Sequence, residues 1–158
     1  MSAKTDYQGK YRTSQTAIHV GVPELAGDVW DVKQNVPETL VAARTITMSD
    51  SGKVFMMSKD PGAQITLPAV ATSAGLKLTF IVGLAFTTTA WTLKAASNCI
   101  HGGAIVNSVF VAASEENLVT FAHAAETVGD YLNLICDGTG YYVDGVATAA
   151  GGITFTAP

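Results

Sequence analysis

The sequence predicts an all-β protein: an antiparallel β-sandwich or barrel-like domain over residues 41–158, led by an extended N-terminal arm over residues 1–40. Three observations carry that expectation. From Asp50 onward, turn signals recur about every 8–12 residues, the spacing of sandwiches and barrels. Val, Ile, Thr, Phe and Tyr concentrate in the short runs between those turns, where β-branched and aromatic side chains suit a pleated, half-buried surface. No window carries the sustained 3.6-residue apolar period of an ordinary helix, and no repeat of fixed period is evident.

Residues 1–40 are polar apart from Ile18, Val20, Val22, Leu25, Val29, Trp30 and Val32, and Gly9, Gly21, Pro23, Gly27 and Pro37 interrupt any period. They read as an arm. Tyr7, Tyr11 and Trp30 are its candidate interface residues, aromatic anchors for a neighbouring subunit, since Tyr and Trp are enriched at interfaces. Arg44–Met48 alternates and ends at the turn Asp50-Ser-Gly52; Lys53–Met57 reads as a strand ended by Asp60-Pro-Gly62. Ala63–Leu67 alternates up to Pro68, and Val70–Gly75 holds at most one helical turn. Leu76–Val82 is the clearest strand, with Leu76, Leu78, Phe80 and Val82 on one face and Lys77, Thr79 and Ile81 on the other. Further strands are expected at Thr87–Leu93, Ala104–Val111 and Asn117–Phe121. Asp130–Cys136 and Tyr141–Asp144 form a hairpin about Asp137-Gly138-Thr139-Gly140, and Ile153–Thr156 closes the fold.

The 158 residues fit one domain with an arm. Only 14% are charged, well under the roughly 25% of ordinary domains. The mean hydropathy is nonetheless positive, +0.29. A disordered chain has the opposite balance. The longest apolar run, Leu78–Phe86, is nine residues long, far from the roughly 20 of a membrane helix. No signal peptide is expected, because Met1–Arg12 is polar. All nine bases lie at or before Lys94, against seven acids there; six acids and no base follow. Phosphate neutralisation needs clustered Lys and Arg, so nucleic acid is not an expected partner. A chain this poor in charge is expected to cover much of its surface with copies of itself or a partner.

Motifs for chemistry are sparse. Cys99 and His101, with His123 and Cys136, contain the residue types of a zinc site, but the second pair is 13 residues apart rather than close. A Cys99–Cys136 disulfide is conceivable, although a chain made inside a cell keeps such thiols reduced. A Cys99–His101 dyad has no motif supplying an oxyanion hole. Glu115 and Glu116 read as a solvated turn rather than a glycosidase pair. Asp130, Asp137 and Asp144 read as turn formers, since no Asp-x-Asp-x-Asp-Gly calcium loop accompanies them. Gly102-Gly103 and Gly151-Gly152 lack the helix and Lys of a phosphate loop. No catalytic residue, cofactor or metal is therefore expected, and His19 stands alone in the arm.

The runs Thr45-Ile-Thr-Met-Ser-Asp-Ser-Gly-Lys-Val-Phe55, Gly62-Ala-Gln-Ile-Thr-Leu-Pro68 and Gly75-Leu-Lys-Leu-Thr-Phe-Ile-Val82 resemble small structural proteins of tailed bacteriophages. Ile100-His-Gly-Gly103, Gly129–Val143 and Gly151-Gly-Ile-Thr-Phe-Thr156 extend the resemblance over residues 44–156. It implies a non-enzymatic virion protein on the outer surface of the capsid. Such proteins decorate and cement the shell, commonly as homotrimers, with the major capsid protein as partner and the arm as the gripping element. Neither nucleic acid nor membrane is implied. The alternative it carries is a head-fibre or spike domain that recognises a host-surface ligand. A carbohydrate-processing β protein is a third reading.

Overall fold

The computed structural model describes residues 36–157, and within them the chain is all-β. Twelve strands form two sheets: β1 (Glu38–Leu40), β2 (Arg44–Thr45), β3 (Val54–Met57), β4 (Gln64–Thr66), β5 (Lys77–Val82), β6 (Trp91–Lys94), β7 (Ile100–Val106), β8 (Val109–Glu116), β9 (Leu118–Phe121), β10 (Tyr131–Cys136), β11 (Tyr141–Ala147) and β12 (Ile153–Thr156). The larger sheet has the order β1-β3-β5-β10-β11-β7-β8, the smaller β12-β9-β6-β4-β2. Residues 36–157 belong to one compact unit. Glu38–Leu40, which composition groups with the leading segment, thus opens the larger sheet as β1.

Alternation decides what is buried. In β5, Leu78, Phe80 and Val82 face inward while Lys77 is exposed. In β11, Tyr141, Val143 and Ala147 are buried and Tyr142, Asp144 and Val146 exposed. Both sheets send residues into a single hydrophobic cluster. Phe55, Phe80, Leu132 and Tyr141 come from the larger sheet, and Ile65, Trp91, Phe121 and Ile153 from the smaller. Phe55 and Phe80 stack with centroids 5.5 Å apart. Burying each such side chain is worth roughly 1.5–3 kcal/mol, so these anchors hold the two layers together.

The pairing departs from a purely antiparallel sandwich. β10 pairs antiparallel with β5 and β11, β7 with β8, and β9 with β6 and β12. The pairs β1–β3, β3–β5, β2–β4, β4–β6 and β7–β11 are parallel. The reason for the first four is the winding. From β1 to β6 the chain alternates between the two sheets at every step, so each strand returns beside its predecessor running the same way. These coils differ in length: Leu40 pairs with Met57 but Met57 with Val82. Unequal coils leave no fixed period for the sequence to display.

The end of the winding at β1 and β2 is capped by charge. Arg44 bonds Glu38 and, at 2.6 Å, the buried Asp50; Lys53 reaches Glu38 at 3.0 Å and Asp50 at 2.8 Å. The Arg44 guanidinium also lies 4.9 Å from the centroid of Phe55, covering the end of the core.

Candidate functional site

Among the described residues, the cysteines and most of the aspartates that suggest chemistry are occupied in holding the fold. Cys99 and Cys136 are both free and buried, and Tyr141 lies between them. It is paired with Cys136, and its N–H donates to the Cys99 carbonyl at 2.7 Å. Burial pushes the Cys136 thiol above its ordinary value, which makes it a small hydrophobe rather than a nucleophile. Burial likewise carries the Tyr141 phenol to about 12, and its hydroxyl donates to the Pro68 carbonyl at 2.6 Å. His101 lies on the outer face of β7 against Tyr142, with ring centroids 5.8 Å apart, and His123 is exposed in the loop after β9. No group of three or more His, Cys, Asp or Glu among the described residues could hold a metal ion.

Several carboxylates serve turns and loops. Asp137 accepts from the Thr139 and Gly140 N–H groups and the Thr139 hydroxyl, all on Oδ1. Those backbone donors hold it at about 2. Asp130 takes the Thr148 N–H and hydroxyl on Oδ1 and the Thr127 N–H on Oδ2. Asp60 accepts from Thr87 and Thr88 across the Pro61 turn. Glu126 accepts the Phe86 N–H at 2.6 Å. Glu115 and Glu116 do not form a turn; they end β8, where Glu115 takes a φ of +62° and Glu116 pairs with Ile100.

What remains open is surface, and the two outer faces differ. The smaller sheet presents Thr92, Thr120 and Thr154 in one row with Gln64. The larger sheet presents an apolar row across six strands. Met56 pairs with Ile81, Ile81 with Tyr131, Tyr131 with Val146, Val146 with Ile105, and Ile105 with Phe110. Phe110 is 64% exposed and Ile105 49%. The Phe110 ring lies over Gly103, where a Cβ would stand 2.7 Å from it. Glycine there lets the aromatic ring lie down on the sheet. One row along, Thr79 donates to Asn133 and Asn133 to Asp144. A shallow depression of about 360 Å³ lies over that polar row, with Lys77 and Asp144 in its lining.

The three interface residues expected from sequence, Tyr7, Tyr11 and Trp30, lie outside the described residues, as does His19. The apolar row is the feature sequence reasoning missed. Its signal was present in the outward positions of each strand, but which of them share a row depends on strand order. Compared with protein families, with curated proteins and with solved structures, the chain matches none.

Proposed function

We propose that this chain is a structural subunit of a tailed-phage particle that decorates and cements the capsid exterior, as a homotrimer gripping the major capsid protein through residues 1–40. The observation that carries the reading is the pairing of an apolar outer row with side chains otherwise committed to core and turns. Among the described residues this offers a surface more than a reaction centre. Cementing requires only added buried area across subunit boundaries, repeated over a lattice. The resemblance over residues 44–156 supplies the phage context. It also supplies the alternative, a fibre or spike domain with a host ligand.

The test is stoichiometry and binding. In purified particles of the virus that encodes the chain, quantitative mass spectrometry is expected to find it in lattice-wide numbers relative to the major shell protein. A few copies per particle favours the fibre. The full chain is expected to co-sediment with expanded empty heads. Replacing Tyr7, Tyr11 and Trp30 together by Ala is expected to weaken that binding about tenfold or more, the scale of losing interface anchors. Binding to host cells that survives this replacement, with none to heads, overturns the cement reading.

A further inference from the structure

We propose that the outer face of the larger sheet is where two copies of this chain associate, face to face. The Ile105–Phe110 end of the apolar row on one copy packs on the Met56–Ile81 end of the other. The inference rests on the reading of the chain as an assembly subunit and names the face that reading requires.

Size comes first. Seven strands spaced about 4.8 Å apart and averaging about 20 Å in length make a face of roughly 600 Å² in projection, all of it covered when two copies meet face to face. Side-chain relief raises the accessible area toward the ~800 Å² per partner of a stable interface. Composition comes next. The row is apolar from β3 to β8. Apart from Glu115 and Glu116 at the corner where β8 ends, the outward positions of β5, β10, β11, β7 and β8 carry one base, Lys77, and one acid, Asp144. Depletion of charge with retention of aromatic groups is the mark of an interface centre.

Charge then selects the arrangement. Lys77 lies on β5 and Asp144 on β11, and neither has an ion-pair partner among the described residues. Laying the β11-β7-β8 half of one copy on the β3-β5 half of the other carries Asp144 toward the neighbour's Lys77. The same contact forms a second time with the roles exchanged, Lys77 of the first copy meeting Asp144 of the second, so the pair closes about a two-fold axis. The same geometry leaves the threonine face of the smaller sheet uncovered.

The test uses the full chain alone, without heads, by size-exclusion chromatography with light scattering. At about 100 µM the unaltered protein is expected as a closed dimer. Phe110→Glu with Ile105→Glu, both at exposed positions, is expected to reduce it to single chains with an unchanged β-sheet circular dichroism spectrum, a loss of about a hundredfold or more in affinity. Lys77→Glu and Asp144→Lys are each expected to weaken assembly several-fold, and the double exchange to recover it. Lys94→Glu, on the other sheet, is expected to change nothing. A lone subunit at that concentration, an unaltered mass for the glutamate variant, or a double exchange no better than either single overturns the proposal. If the glutamate variant fails to fold, Met56→Cys with Phe110→Cys reads the same contact. Oxidation yielding intermolecular cross-links supports it, and their absence overturns it. An oligomer that ignores heads leaves this inference standing and removes the cement reading; a monomer that binds heads does the reverse.

Discussion

Asp50 is the side chain on which the capped end of the winding turns. Burial opposes its charge, but the Lys53 ammonium, the Thr47 N–H and the Arg44 guanidinium outweigh burial and hold its carboxyl at about 2. The folded value lies below the unfolded one, so the stabilisation is complete above about pH 4 and is lost as pH falls from 4 to 2. Glu38 is shifted the same way: burial again opposes ionisation, and the Lys53 and Arg44 contacts overcome it. Asp50→Asn is expected to cost on the order of 2 kcal/mol at pH 7 and to flatten the pH dependence of urea unfolding below pH 4. Tyr141→Phe removes the donor to the half-buried Pro68 carbonyl and is expected to cost about 1 kcal/mol in the same measurement. Sequence marked Asp130, Asp137 and Asp144 as turn formers. Asp130 and Asp137 bond turn N–H groups, whereas Asp144 accepts a side-chain amide from Asn133 on the next strand. The ion cluster was not legible, because Glu38, Arg44, Asp50 and Lys53 are brought together by the first coil and not by spacing.

The β7–β8 hairpin shows what a local pattern conceals. Ala104–Val111 reads as one strand, yet the chain reverses at Asn107-Ser108, where φ is 48° and 66°. Both central residues left-handed is the geometry of a tight type I′ turn, and Asn-Ser announces it far less clearly than Asn-Gly. Ser108→Gly is expected to raise stability by about 0.5–1 kcal/mol, because glycine adopts that conformation without strain. Thermal unfolding of the variant checks it. The Asp137-Gly-Thr-Gly140 turn was legible because its residues state its geometry. The strand Leu76–Val82 was legible for a related reason: its alternation is complete and its buried face matches the core. Arg44–Met48 is shorter than its alternation suggests, since Met48–Asp50 leaves the sheet as a 3-10 turn held by Asp50 on the Thr47 N–H.

Over the whole molecule, the apolar row and the threonine face lie on opposite outer surfaces, so a partner on one leaves the other free. Phe80→Ala is expected to cost about 3–5 kcal/mol, since its cavity opens in the cluster both sheets share; denaturant unfolding of the full chain measures it. Removing exposed Phe110 instead is expected to leave the subunit's fold intact while releasing its neighbour, and that contrast separates packing within a subunit from packing between subunits. The amino-acid sequence by itself determined the all-β class, most strand positions, the inward face of each clear strand and the shortage of charge. All of these follow from period-two alternation, turn chemistry and composition, which act within a few residues. Only the tertiary structure decided that the first six strands wind between two sheets, that half the pairings are parallel, and that Met56, Ile81, Tyr131, Val146, Ile105 and Phe110 form one line. Those facts are set by which strand lies beside which. Strand neighbourhood is chosen by long-range burial of a shared core, and separations along the chain do not encode it.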